Sequence, residues 1–453
     1  TSVGQSKAFF SYFDRRWWRE NDIFVRASQF EQGIFEPTFP EQVGDLVRIG
    51  NSTDNFGILR TFYVGGVEHA YSFAHNLFGK ASNLEVGARA YWERFIDDRK
   101  TGDSPSARDG IYFIPAADEN SSPTIVGQSQ HYQTSAFSAF VSEKINLGSL
   151  VITPGLRMEV FEQERIDRLR GSVYQDKATF VLLPGFGLNY DLGSMRLFAG
   201  VHRGFTPPSS GTLRIVNFGD NFEAGGLDLE AEKSWNSEIG LRGSMPGLLF
   251  ELAAFNVDIE DLVAAGRGTA FQNLGKVRSN GVELGGTIQS SRWSGFLPDI
   301  NFSYAFLNTE ILEGLITSAV LAGGATADIS GNELPYAPQN TLTIGISRQT
   351  DSGISLRSDL RYVGDVFTDF ENIEETFNRG DTGPIESYFV LNASAGYRFL
   401  RQWGVSVTAK NLLDEIYIGS RLHSNPGQKE ARLSSGIIPG PRRQINIALD
   451  YTF

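Results

Sequence analysis

The C-terminal stretch of the chain, residues 444–453, reads QINIALDYTF and alternates apolar and polar positions without a break. Its apolar face carries Ile445, Ile447, Leu449, Tyr451 and Phe453. Its other face carries Gln444, Asn446, Ala448, Asp450 and Thr452. Because successive side chains of a β-strand point to opposite faces, this period of two predicts a strand with one apolar surface.

Segments 403–410, 389–399 and 354–363 repeat the pattern upstream. In the last of these, Leu356 and Leu360 oppose Arg357. The polar faces are rich in Gly, Asn, Arg and Asp, which suits a wet interior. The apolar faces carry aromatic residues towards their ends, as side chains at a membrane interface do. The pattern predicts strands that separate lipid from a water-filled lumen.

Composition excludes several other classes of protein. The 453 residues include 49 Gly, 34 Phe and 15 Tyr but 0 Cys, which excludes a disulfide scaffold, a cysteine zinc site and a thiol nucleophile. No run of roughly 18 apolar residues occurs, so a transmembrane helix is not expected. The net charge of -13 argues against a nucleic-acid partner, which would need a basic surface.

Alternation and turn residues predict sixteen strands, with ends uncertain by about 2–4 residues. The predicted strands are 6–17, 57–75, 83–98, 130–145, 149–162, 175–190, 195–203, 228–243, 248–258, 274–290, 299–312, 339–349, 354–364, 386–399, 403–418 and 441–453. Many of them are longer than the roughly 5–6 residues usual in soluble proteins, which disfavours a soluble β-sandwich.

The connections between these strands alternate in length. Short ones, such as 146–148 and 350–353, alternate with long ones, such as 18–56 and 204–227. Outer-membrane barrels have short periplasmic turns and long external loops. The sequence therefore predicts an all-β fold, a transmembrane antiparallel β-barrel whose C-terminus lies on the periplasmic side.

A series of short motifs follows in the second half of the chain. They are GFTPPS from Gly204, LEAEKSWNSEIGLR from Leu229, NLGKVRSNGVEL from Asn273, LPYAPQNTL from Leu334, KNLLDEIY from Lys410 and the terminal PGPRRQINIALDYTF from Pro439. Each motif alone is weak, but in this order they closely resemble the barrel of TonB-dependent receptors. FDRRWWREND from Phe13 and the segment near Arg60 are similar to ferric-citrate-type receptors.

The resemblance implies an architecture larger than this sequence. Members of the family carry an N-terminal plug inside a barrel of about 22 strands. Residues 1–453 supply sixteen predicted strands, no plug and no TonB-box-like opening. We therefore expect 1–453 to be one barrel domain, with the plug and the first strands missing, in the outer membrane of a Gram-negative-type bacterium.

The resemblance also implies TonB-driven uptake of a ferric siderophore or a ferric-citrate-type chelate. The expected partners are the TonB complex, reached through a plug outside this chain, the ferric chelate, and outer-membrane lipid or lipopolysaccharide. A free-standing 16-stranded porin is the main alternative, because the strand number fits one. An outer-membrane hydrolase is weaker: the 5 histidines lack metal-binding spacing, and no GxSxG motif occurs. No enzyme activity, cofactor or metal site is expected.

Alternation places several basic and aromatic residues on the lumen face near the long loops, where a bulky anionic ligand would enter. These candidates are Arg89, Tyr91, Arg157, His202, Arg357 and Arg361. Arginine suits the task because its planar fork grips a carboxylate at two points. The alternative for each arginine is a pairing with a carboxylate such as Glu159 or Asp359, or a contact with the plug. A second basic group in the last long loop, for which simple solvation is preferred, comprises Arg421, His423, Lys429 and Arg432.

Other singular residues receive structural interpretations. Gly240, Gly281 and Gly396 are expected to relieve crowding on a curved wall. Asn411 and Asp414 are expected to fix a strand end. Phe453, by resemblance, is the terminal aromatic that the barrel-assembly machinery reads. The apolar island 316–325 is interpreted as a short loop helix, with a lid over the pore as the alternative.

Overall fold

The computed structural model describes most of the chain. The described residues are 2–26, 32, 46–102, 108–110, 113–114, 124–125, 128–169, 171–175, 178–208, 230–264, 272–318, 325–376, 380–399, 402–421 and 436–452. All structural statements below concern these residues.

Sixteen long strands follow one another as an antiparallel meander, which confirms the predicted strand number and order. They are β1 Ser2–Arg26, β2 Leu46–Leu77, β3 Lys80–Gly102, β4 Gln128–Leu147, β5 Leu150–Asp167, β6 Thr179–Asp191, β7 Met195–Thr206, β8 Glu232–Met245, β9 Leu248–Glu260, β10 Gly275–Ile288, β11 Asp299–Ser318, β12 Asn340–Gln349, β13 Ile354–Val363, β14 Tyr388–Phe399, β15 Trp403–Lys410 and β16 Gln444–Tyr451. Two short strands, Ser172–Gln175 and Ala325–Asp328, extend the sheet at β5 and β11.

The first hairpin is much longer than predicted. Within the segment 18–56, expected to be a loop, residues 18–26 continue β1 and residues 46–56 belong to β2. Trp18 pairs with Gly57 and Arg26 with Leu46, with a register shift between Glu20 and Asp22. Above the membrane both faces of a strand meet water. The period of two that marks the membrane-spanning part is therefore absent there.

Cross-strand register assigns the two faces of the wall. Leu356, Ala395, Val407 and Ile447 form one row across β13 to β16. Ile447 is 75% exposed, as a lipid-facing side chain of such a wall must be. The opposite face carries Arg357, Ser394, Thr408 and Asn446 in one row. The predicted apolar and polar faces are confirmed.

Glycines admit aromatic rings against the lumen face of the wall. At Gly240 an added Cβ would lie 2.6 Å from the carbonyl oxygen of Leu252 and against the ring of Phe198. At Gly281 an added Cβ would lie 2.9 Å from the ring of Phe255. At Gly396 the nearest atom is Ser355 Oγ, at 2.6 Å. The predicted crowding is confirmed at Gly240 and Gly281, whereas Gly396 is close only to a serine hydroxyl.

The main hydrophobic core lies at the loop end of the barrel. It consists of Ala264, Leu274, Val277, Ile311, Ile316 and Ile329. Ile259, Leu262, Leu334 and Phe370 pack against it. The loop helix predicted for 316–325 is wrong at its start, because β11 runs to Ser318 and pairs with Ala325–Asp328. Ile316 is 0% exposed, so its side chain lies on the buried side of this hairpin. Residues 319–324 lie outside the described residues.

Two residues with positive φ fix the link between β15 and β16, as predicted. Asn411 has φ 47° and Asp414 has φ 58°. The Asn411 Nδ2 group donates to the carbonyl oxygens of Glu415 at 2.9 Å and Pro441 at 3.0 Å. Asp414 accepts two hydrogen bonds from Arg442, at 2.9 and 2.6 Å, and one from the backbone N–H of Arg443 at 2.9 Å. These bonds hold the pKa of the Asp414 carboxyl well below its usual range.

Candidate functional site

The lumen face of β3, β4 and β5 brings three of the candidate residues together. In register, Arg89 lies opposite Ser138, which lies opposite Glu159. The next row towards the loops is Tyr91, Ala136 and Phe161. These rows line a cavity of about 460 Å³ that also includes Arg157. We call this cavity the lumen pocket.

Arg89 is the less tightly held of the two pocket arginines. Its guanidinium carbon lies 4.8 Å from the ring centroid of Tyr91 and 5.4 Å from that of Phe9. Its nearest carboxylate is Glu68, with a nitrogen–oxygen distance of 3.9 Å, at the edge of ion-pairing range. The Tyr91 hydroxyl donates to Glu93 at 2.6 Å and is thereby fixed beside the guanidinium. Arg89 is thus positioned mainly by aromatic rings, which leaves hydrogen-bonding capacity for a ligand.

Arg157 is held more firmly. Its Nε donates to Glu159 Oε1 at 2.6 Å, and its Nη2 donates to Ser138 Oγ at 2.9 Å. The Glu159 side chain is only 12% exposed, whereas that of Arg157 is 40% exposed. The pairing anticipated as the alternative for Arg157 is therefore present. A ligand anion at Arg157 would share or replace the Glu159 contact.

The end of β7 forms the aromatic side of the lumen pocket. Phe205 stacks on Phe161 with ring centroids 5.6 Å apart. Gln163 Nε2 donates to the carbonyl oxygen of Pro208 at 2.9 Å, which holds the Pro207–Pro208 turn against β5. The FTPP motif thus fixes one wall of the pocket, because two successive prolines restrict the backbone as it leaves the strand.

The charge of the lumen pocket is balanced. Two arginines, Arg89 and Arg157, face two carboxylates, Glu93 and Glu159, among aromatic rings. Such a site can hold a bulky ligand that presents both anionic oxygens and flat rings, since guanidinium groups bind either. Among the described residues, no group of three His, Asp or Glu side chains is placed to hold a metal ion.

The remaining candidates share the lumen face but not the pocket. His202 lines a separate cavity of about 410 Å³ with Glu238 and Arg242. Arg357 and Arg361 lie on β13, opposite Ser347 and Thr343 of β12. The Arg357 side chain is 73% exposed and its Nε is 3.9 Å from Asp359 Oδ1, the carboxylate suggested for it. The structure therefore brings Arg89, Tyr91 and Arg157 together and leaves the other three candidates outside their pocket.

Arg421, expected to be solvated in the last loop, is instead a buried structural residue with 6% exposure. It donates from Nη1 to the carbonyl oxygen of Gly380 at 2.7 Å and from Nη2 to that of Pro384 at 2.8 Å. The sequence could not predict that Arg421 is buried. The hydrogen-bond acceptors of Arg421 are backbone carbonyls of a loop that is distant in sequence. His423, Lys429 and Arg432 lie outside the described residues.

Three pocket residues are not among the candidates predicted from the sequence: Glu93, Phe161 and Phe205. Alternation alone would have placed Glu93 on the face of Tyr91 and Phe161 on the face of Arg157. Phe205 was recognised only as part of a motif, and its contact with Phe161 depends on the register across three strands. Register, rather than residue type, was the missing information.

A large antiparallel meander with one apolar and one polar face is the architecture of a transmembrane β-barrel wall. The family described as TonB dependent receptor-like, beta-barrel, matches residues 4–412. The chain belongs to this family. Among the described residues, no helix is long and apolar enough to cross a membrane.

The similar proteins include receptors for iron chelates. The catecholate siderophore receptor Fiu of Escherichia coli K12 is 24% identical over 226 residues, which is 47% of this chain and 26% of Fiu. The crystal structure of the ferric citrate transporter FecA in its unliganded form aligns with a TM-score of 0.70 and 18% identity, covering 100% of this chain and 61% of FecA. The closed form of Fiu aligns with a TM-score of 0.68, covering 100% of this chain and 62% of Fiu. The chain therefore spans only part of the length of these proteins.

Proposed function

We propose that this chain is the barrel wall of a transporter that takes up a ferric siderophore or a ferric-citrate-type chelate in a TonB-driven step. The observation that carries the proposal is the lumen pocket, with Arg89, Tyr91 and Arg157 on one inner wall of a TonB-dependent receptor barrel. Ferric chelates of this kind present anionic oxygens and, in catecholates, flat rings. Both features match guanidinium groups flanked by aromatic side chains.

The proposal includes a location and partners. The wall spans the outer membrane of a Gram-negative-type bacterium, with its short turns in the periplasm and its long connections outside. Its partners are a ferric chelate, the TonB complex acting through a plug outside residues 1–453, and lipid or lipopolysaccharide of the outer membrane. The protein is a transporter without enzyme activity. FecA and Fiu, as named, handle ferric citrate and ferric catecholate, which supports this ligand class.

The test replaces the pocket arginines in the full-length protein. Arg89→Gln and Arg157→Gln should each weaken binding of the ferric chelate about tenfold or more, since each removes a charge-assisted hydrogen bond of ~1.5–3 kcal/mol. Arg242→Gln is the matched control, because Arg242 faces the lumen in a different cavity and pairs with Glu251 at 2.6 Å. Ligand affinity is measured by fluorescence quenching at two salt concentrations. Equal affinities for all three variants and the unaltered protein would place the ligand elsewhere.

The alternative drawn from the sequence is a free-standing 16-stranded porin, and the family match together with the similar receptors supports the transporter over it. Growth on the chelate as sole iron source separates the two functions. A TonB-dependent transporter supports growth only in cells with TonB, whereas a porin needs no energy coupling. Uptake that persists in a TonB-deficient strain would establish the porin.

A further inference from the structure

A shallow groove of about 530 Å³ lies on the lipid-facing side of β12 to β15. Two rows of side chains form it: Ile346, Ser358 and Ala393 in the upper row, and Leu356, Ala395 and Val407 in the lower row. Small side chains at the centre sit between the larger rims of Ile346, Leu356 and Val407, which are 46%, 49% and 41% exposed. The groove runs across neighbouring strands near the short-turn end of the wall.

Arg348 lies at the end of this groove, directly opposite Leu356. Its Nη2 donates to the carbonyl oxygen of Gly295, and its guanidinium carbon is 5.6 Å from the ring centroid of Phe296. Its Nη1 is buried and has no hydrogen-bond partner. No ion pair with a carboxylate is found for Arg348 within the described part of the chain. A cation without a carboxylate partner in the described residues therefore lies where the apolar wall ends.

The longest short-side connection reinforces this position. Between β10 and β11 the chain forms a 3-10 turn, Ser290–Arg292, followed by Trp293 at 63% exposure and Phe296 at 90% exposure. Pro298 of the same connection lines the groove. Exposed aromatic rings beside an arginine, at the end of a lipid-facing surface, are typical of the depth of lipid headgroups.

We propose that the groove and Arg348 bind one glycerophospholipid of the periplasmic leaflet. Its phosphate accepts hydrogen bonds from Arg348, and one acyl chain lies over Ala393 and Ala395. Lipid tails are as apolar as the wall itself, so selectivity comes from close packing on the small side chains and from the guanidinium–phosphate contact. This inference rests on the membrane orientation given under the proposed function.

Native mass spectrometry of the detergent-purified full-length protein, titrated with phosphatidylglycerol, tests the proposal. Arg348→Gln and the groove-filling Ala395→Phe should each lower the fraction carrying one lipid about fivefold or more. The matched controls are Ala254→Phe, on the lipid-facing side of β9, and Arg278→Gln, whose arginine already pairs with Asp258 at 2.7 Å. Heat-dependent gel migration confirms that every variant is folded.

The outcomes separate the alternatives. Equal lipid retention in all variants, or equal loss in the control variants, overturns the proposal, because the bound lipid is then only unspecific surrounding lipid. Competition by inorganic phosphate that is insensitive to Ala395→Phe also overturns it in favour of a free-anion site. Chelate uptake is measured separately. If the lumen-pocket variants lose uptake but bind lipid normally, the proposed function is supported. That result leaves the lipid-site proposal unaffected.

Discussion

Glu159 determines how available Arg157 is to a ligand. The two side chains meet at 2.6 Å on the lumen face, and Glu159 is nearly buried. A carboxylate that pairs with an arginine competes with any anion that arrives there. The affinity of the pocket therefore depends on this carboxylate as much as on the arginine.

Glu159→Gln should strengthen binding of the ferric chelate. The amide keeps the shape of the side chain but no longer neutralises Arg157, so we expect affinity to rise by about tenfold, the equivalent of ~1.4 kcal/mol. Fluorescence titration measures the change, and the gain should shrink at high salt. Glu251→Gln, which frees Arg242 in another part of the lumen, is the control and should leave affinity unchanged. A weaker or unaltered affinity in Glu159→Gln would show that the anion does not reach Arg157.

A single Cβ atom added at Gly240 tests how closely the lumen face of the wall is packed. Gly240→Ala places a Cβ 2.6 Å from the backbone oxygen of Leu252 and against the Phe198 ring, so the strand must shift. We expect a loss of about 1–3 kcal/mol in the free energy of unfolding, measured with urea on protein refolded in vesicles. Gly187→Ala is the matched control, because its nearest contact is an ordinary 3.8 Å from Thr153 Cβ. Equal losses in both variants would contradict the packing argument.

At the scale of the element, the link between β15 and β16 depends on an ion pair outside the membrane-spanning strands. Because hydrogen bonding lowers the pKa of Asp414 in the folded protein, Asp414 stabilises the fold at any pH above its unfolded pKa of about 3.9. That contribution disappears as the pH falls through the lower folded pKa. The Asp414 carboxylate thus holds the residues that precede β16 in place throughout the neutral pH range.

Asp414→Asn should lower the urea midpoint of unfolding at pH 7 but change it less at about pH 3, where the stabilisation by the carboxylate of the unaltered protein has begun to be lost. In an Arg442→Gln background the same substitution should have a smaller effect at pH 7, because its main partner is gone. A difference between the unaltered protein and the Asp414→Asn variant that stays constant from pH 7 to pH 3 would refute the ion pair's role.

The strands themselves were predictable wherever the membrane imposes two different solvents on their faces. Residues 354–363 alternate because one side meets lipid and the other the lumen. The extensions of β1 to Arg26 and of β11 to Ser318 were not predictable, since neither has one face in lipid. Both extensions are held by cross-strand hydrogen bonds. The extension of β11 is also held by the burial of Ile316 against neighbouring loops.

On the scale of the whole molecule, alternation identified the inner face but not the neighbours on it. Arg89 and Arg157 meet because β3, β4 and β5 are adjacent and in a particular register. His202 and Arg361 have similar residue chemistry and the same face, yet they lie on other strands. Arg421 shows the opposite failure, because its burial depends on a loop that lies 41 residues away in sequence at the Gly380 contact.

The buried core at the loop end ties several external connections into one body. Ala264 follows β9, Ile316 lies near the end of β11, Ile329 belongs to the returning arm of that hairpin, and Phe370 follows β13. A change of side-chain volume in any one of these segments alters the packing of the others. The outward surface that they carry can therefore diversify only as a block, with substitutions in one segment compensated in its neighbours, while the residues outside this core remain free to vary singly.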